Sequence, residues 1–273
     1  MKIKSVESIP LQLGKNKQTR HVLQATEAEK SDPFVVLADD EFEHEAFPKH
    51  PHKGIQTVTY VLEGSLRHYD SQSQVEGELS AGDFQIMTAG RGIIHSEMPA
   101  ENEVVRGLQL WVNLSSEHKK VAPNYQDLKY ADVPKLTFDG GKIEIYAGSL
   151  EDVSSPLTLL TPFNYFSIHL KSGTSYKLPV PADFNSFIYV LEGEVSIAEE
   201  LVQNFEFAKM GRNEAADEIQ LTAMKDTHLV YFGGQPIREP IVVRGPFVMN
   251  TQAEMKSSYA DFRNGDFLGG APY

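Results

Sequence analysis

Cysteine is absent from the 273-residue chain. A disulfide framework, a thiolate nucleophile and a thiolate-ligated metal are therefore excluded, and any metal must be held by nitrogen and oxygen. Positive charge is scarce: Lys and Arg total 25 against 38 Asp and Glu, for a net charge of −13. That balance repels phosphate backbones and anionic lipid, and no cluster of Lys and Arg offsets it, so no nucleic-acid partner is expected. No apolar run approaches the ~20 residues that span a bilayer. Met1 to Leu13 has no apolar stretch behind its lysines of the kind that marks a signal peptide. These absences lead us to expect a cytoplasmic monomer with no membrane partner. Helical periodicity is also sparse, and its best case is the tail from Thr251 to Phe262, where Thr251 can cap a helix carrying Glu254 three residues on.

Apolar residues make up 41% of the chain, an ordinary globular content. The length accommodates two domains of common size, and the chain repeats itself. Tyr60-Val61-Leu62-Glu63-Gly64 recurs as Tyr189-Val190-Leu191-Glu192-Gly193, 129 residues later, and the same offset carries Gly82 onto Gly211. A second landmark at one domain-sized offset favours duplication over two unrelated strand ends. Both copies belong to β-rich stretches. Thr57 to Leu62 is β-branched, aromatic or apolar, Phe84 to Thr88 follows a Gly-Asp turn, and Leu108 to Leu114 alternates over most of its length. Tyr165 to Leu170, Phe187 to Leu191, Ile219 to Leu221 and Leu229 to Phe232 repeat the theme. Short strands at close spacing predict an all-β fold of two antiparallel β-barrel or jelly-roll domains with a short C-terminal helix. The boundary is placed near Asp132 to Gly141, giving an N-terminal domain over 1–132 and a C-terminal one over 133–245, followed by a tail over 246–273. Tyr125 to Tyr130 fits either a linker turn or a short helix.

Two short motifs carry candidate chemistry. His50-Pro51-His52 sets two imidazoles at i and i+2, which face the same side of an extended chain, and Pro51 favours that geometry at His50. His95-Ser96-Glu97 repeats the spacing with one imidazole and one carboxylate. Aimed into one barrel, the pairs supply three nitrogens and a carboxylate, a set suited to Fe(II), Mn(II), Ni(II), Cu(II) or Zn(II). Either pair alone occurs by chance in a chain with nine histidines. The intervening Ala89-Gly90-Arg91-Gly92 permits the tight turns that would bring them together. His68 is either a pocket residue behind the metal or a solvated strand end, and Trp111 is core or pocket wall. His21, His44, His118 and His169 lack a partner at ligand spacing and are read as structural or exposed. His228, two residues after Asp226, is read as an exposed strand end.

Phe47-Pro48-Lys49-His50-Pro51-His52-Lys53-Gly54, Thr57 to Gly64, Met87 to Pro99, Gly107 to Leu114 and Gly245 to Thr251 together resemble the pirin family of cupins. The resemblance implies two cupin domains and one iron held in the first by His50, His52, His95 and Glu97. It also implies a C-terminal tail packed back on the N-terminal domain. Some pirins are similar to quercetin 2,3-dioxygenase, so the implied activity is an iron-dependent dioxygenase that takes dioxygen and a flavonol or enediol-like substrate, with Glu97 as ligand and proton acceptor. Other members are redox-linked coregulators, which implies the alternative of a metal-dependent sensor that binds a regulatory protein. Gln56 departs from the family, standing where many relatives carry Glu, and Lys53 and Ile55 replace the commoner Arg and Phe or Met. Gln56 is read as a residue of the pocket behind the metal, where an amide donates a hydrogen bond but cannot serve as a base. The 129-residue offset carries the four ligands onto Pro179, Pro181, Met224 and Asp226, so the second domain is expected to bind no metal in this way.

Overall fold

The computed structural model describes residues 1–44, 46–70 and 76–268. The chain divides into two compact units, Met1–Pro10 with Ala131–Pro236 and Leu11–Tyr130 with Ile237–Tyr273. Each unit pairs a seven-stranded antiparallel sheet with a four-stranded one. Neither is closed into a hydrogen-bonded barrel among the described residues. Both are two-sheet jelly rolls whose facing surfaces enclose an interior.

The duplication is visible in the sheet order. In the N-terminal unit the large sheet runs Asn124–Leu128, Phe84–Thr88, Ile55–Glu63, Val105–Asn113, Phe34–Phe42, Lys17–Leu23, Gln12–Leu13. In the C-terminal unit it runs Ile3–Ser8, Glu206–Met210, Asn185–Glu192, Thr227–Gly234, Phe163–Leu170, Gly141–Ala147, Lys135–Phe138. The two repeated pentapeptides thus end the third strand of each order. The outermost strand at the first end differs in origin. Residues 3–8 pair with Glu206–Met210, from Ile3 against Met210 to Ser8 against Glu206, and the Met1 amino group reaches Asp217 at 3.0 Å. Residues 1–10 therefore lie with the C-terminal half, although the sequence partition counted them within 1–132. Edge protection is the physical reason: the strand covers backbone groups of Glu206–Met210 that would otherwise be open.

The corresponding place in the N-terminal unit is filled by Asn124–Leu128, which pairs with Phe84–Thr88 and buries Leu128. This corrects the reading of Tyr125 to Tyr130 as a linker turn or short helix; the helical part is a single 3-10 turn at Tyr130–Asp132. The tail forms the helix Gln252–Asn264, which opens on Thr251 with a full capping box to Glu254 and stops at the left-handed Gly265. Met255 and Phe267 pack with Phe247, Met249 and Ile94. No helix among the described residues is long and apolar enough to cross a membrane.

The interiors of the two units differ in chemistry. The C-terminal one is filled by aliphatic side chains, including Leu178 and Val180 of one small-sheet strand and Ile219 and Leu221 of its neighbour. These strands occupy the places that Phe47–His52 and Ile93–Pro99 take in the N-terminal unit, where His52, His68, His95 and Glu97 are buried beside apolar side chains.

Candidate metal centre

In the N-terminal unit the small sheet aligns Ile93 with His52 and His95 with His50, so alternation turns all three imidazoles inward. Their candidate ligand atoms lie within 4.8 Å of one another, the group among the described residues able to share one ion. Ring centroids are 4.4 Å apart for His50 and His95, and 5.1 Å for His52 and His95. His52 and His95 are almost fully buried.

The hydrogen bonds favour ligation. His50 Nδ1 lies 2.8 Å from the Pro48 carbonyl, which assigns the proton to that nitrogen and leaves Nε2 with a lone pair. That Nε2 is 3.0 Å from His52 Nε2. Two nitrogens held at right angles, each ~2.1 Å from one ion, would be ~3.0 Å apart. His95 Nε2 is buried without a hydrogen-bond partner. Burial, the largest cause in each case, lowers the pKa of all three rings, and that of His52 falls to about 3. Neighbouring imidazoles push His52 and His95 the same way. The rings are therefore neutral, as metal ligands must be. The donor set fits a divalent ion with a preference for nitrogen.

Glu97 follows His95 by two residues, and its carboxylate is turned to Gln109 Nε2, at 3.2 and 3.4 Å, and to Thr59. Burial raises its pKa to about 7, against the lowering effect of the Gln109 bond. It is thus a carboxyl group able to hold or release a proton near neutrality. Gln109 in turn accepts from Trp111 Nε1 at 3.2 Å, and the indole meets the His52 ring edge to face, centroids 5.1 Å apart. Trp111 is therefore pocket wall. A cavity of about 20 Å³ beside Glu97, bordered by Asp40, Phe47 and Gln109, has room for one water molecule.

His68 is buried and stands opposite Glu97 in the strand pairing. Its ring lies 3.3 Å from Gln85 Nε2, which also donates to Asp127 at 2.8 Å. Gln56 lies elsewhere. Thr57 and Thr59 pair with Trp111 and Gln109 on the inward face, so Gln56 projects from the opposite face, where its amide donates to Thr88 at 2.9 Å. Its pocket role is corrected accordingly: neither Gln nor Glu at 56 would reach the imidazoles from that face.

Sequence reasoning passed over Gln109, Thr59, Gln85 and Asp127. They form one row across four neighbouring strands, each residue paired with the next. The alternation from Leu108 to Leu114 held the signal, because Gln109 and Trp111 share its less apolar face. His169, read as lacking a partner, and His228, read as an exposed strand end, stack at 4.0 Å in the C-terminal unit and share Ser167 Oγ.

Two jelly rolls, one with an apolar interior and one with three converging imidazoles, define a two-domain cupin with a single candidate metal centre among the described residues. The comparisons place it more closely. Residues 12–112 match the family described as Pirin, and residues 165–268 match the Pirin C-terminal cupin domain. Pirin of Mus musculus is 40% identical over 259 residues, covering 92% of this chain and 88% of that protein. A pirin-like protein of Caulobacter vibrioides is 36% identical, covering 97% and 98%. The crystal structure of a quercetin 2,3-dioxygenase from Acinetobacter baumannii superposes with a TM-score of 0.89 at 30% identity, covering 97% of this chain and 98% of that one. The chain belongs to the pirin family.

Proposed function

We propose that the protein is an iron-dependent dioxygenase acting on flavonol or enediol-like substrates, with His50, His52, His95 and Glu97 as ligands. The observation that carries this reading is the set of three converging imidazoles, two of them buried, with an unpartnered nitrogen at His95. The similarity to a quercetin 2,3-dioxygenase supports the choice of substrate class. When bound, the ion would supply Lewis-acid stabilisation of an enediolate and redox chemistry toward dioxygen.

The chain's own residues do the rest. His50 is held in one tautomer by the Pro48 carbonyl. Trp111 and Gln109 brace His52 and Glu97 from the facing sheet. Glu97, oriented by Gln109, accepts the substrate's hydroxyl proton at a carboxylate oxygen. Burial of His52, His95 and Glu97 keeps bulk water from that side of the site.

Oxygen uptake tests the reading. Iron-loaded protein is expected to consume oxygen with quercetin, and His52→Ala to consume none. Metal-loaded protein that takes up no oxygen with quercetin or simpler enediols would end the dioxygenase proposal and turn attention to a redox sensor with a protein partner.

A further inference from the structure

Two residues along each strand from Gln109 and Thr59, the inward face of the large sheet carries a second row: Tyr125, Met87, Thr57 and Trp111, in register across four strands. Trp111, at one end, touches His52. At the other end the Tyr125 ring stacks on His68, centroids 5.2 Å apart and planes 18° from parallel. The Tyr125 hydroxyl is buried and has no hydrogen-bond partner among the described residues. Polar atoms are seldom buried in that state, and each such case calls for an explanation. Burial, with Asp70, Glu97 and Asp127 nearby, raises the phenol's pKa and keeps it protonated. The group is therefore an O–H donor with nothing to donate to. On the facing sheet, His95 Nε2 is buried and equally unpartnered. An interior with one donor and one base left open on opposite walls suits a guest that complements both, a cation at the imidazoles and an electron-rich oxygen at the phenol.

We propose that Tyr125 donates a hydrogen bond to an enolate, phenolate or carbonyl oxygen of the organic ligand held at the histidine cluster, and so selects oxygen-rich planar substrates of the flavonol and enediol type. The inference rests on the metal-centre reading above. Tyr125 is a positioning residue: it orients the ligand and transfers no atom. His68 supports the ring from below and is itself held by Gln85, which Asp127 anchors.

The test is Tyr125→Phe, which keeps the ring and deletes the hydroxyl. Three quantities are compared with wild type: iron per chain, anaerobic quercetin affinity of the iron-loaded protein by difference absorption, and melting temperature of the metal-free protein. Iron content is expected to be unchanged, and quercetin affinity to fall about tenfold, the effect of one hydrogen bond to a charged acceptor. The metal-free variant is expected to melt no lower than wild type, because the hydroxyl it loses has no partner there. Unchanged affinity at full iron loading would overturn the proposal, as would a lowered melting temperature of the metal-free variant, which marks a structural hydroxyl. Wild-type protein that takes up no iron would instead overturn the metal-centre reading, and Tyr125's role with it.

Discussion

Replacing Lys119 by Met tests how the metal-binding loop is held. Lys119 is buried, and its ammonium donates to the Gly54 carbonyl at 2.9 Å, to Asn113 Oδ1 at 2.7 Å and to the Val248 carbonyl at 3.0 Å. One charge thus ties the turn after His52, the end of a central strand and the C-terminal segment. Methionine keeps much of the stem and removes the charge. Two effects oppose each other. Burial lowers the lysine's pKa from 10.5 to about 8, so removing the ammonium relieves about 3 kcal/mol at neutral pH, taking ~1.36 kcal/mol per pKa unit. The three acceptors then lose a donor, at about 1–3 kcal/mol each. The Gly54 carbonyl keeps a weak second donor, the Leu114 amide at 3.4 Å, and belongs at the low end. The losses win by about 2 kcal/mol, a fall in melting temperature of ~4–8 °C for a chain of this size. The pH dependence has a definite sign. The folded pKa is depressed, so the unfolded chain binds more protons between about pH 8 and 10.5. Wild-type protein should therefore gain stability relative to the variant as pH rises through that window. Thermal melts of both proteins at pH 7 and pH 9.5 measure the two effects. Equal melting temperatures at both pH values would refute the reasoning.

Gln109→Leu removes the amide donor from Glu97 while leaving the strand pairing intact, and iron affinity should fall about tenfold in a titration, as losses of a ligand's hydrogen-bonding support do. Gly54→Ala should be strongly destabilising, because Gly54 has φ +79° and an added Cβ would collide with the Val248 carbonyl. Its melting temperature should fall by more than that of Lys119→Met. Thr251→Ala removes the cap of the C-terminal helix and should cost about 1 kcal/mol, read as a melting-temperature loss of ~2–4 °C.

Much of the architecture was legible in the sequence because its signals are local. The repeated pentapeptide marks the same strand of two related sheets, and Thr251 with Glu254 announces the helix that forms. His50-Pro51-His52 and His95 are legible for the same reason, since alternation alone turns each pair to one face. What escaped is long-range. Residues 3–8 find their partner about 200 residues away, and nothing in Ile3-Lys4-Ser5-Val6 says which edge it will cover. Tyr125 looked like part of a connection until its pairing with Met87 turned it inward. The constant 129-residue offset also misplaced the second set of positions. Gly82 precedes the strand Phe84–Thr88, whereas Gly211 follows the strand Glu206–Met210 that holds the same place in the other sheet, so one offset does not serve the whole repeat. Gln56 drew notice as a family departure, yet one residue of strand parity separates it from the imidazoles.

The central claim is that three imidazoles from two neighbouring strands bind one metal ion. Iron per chain, measured after anaerobic loading and desalting of wild-type, His50→Ala, His52→Ala and His95→Ala proteins, tests it most directly. The account predicts close to one iron per chain in wild type and a loss in each variant, with folding preserved by circular dichroism. Iron retained at wild-type level in folded variants, or absent from wild type itself, would contradict it.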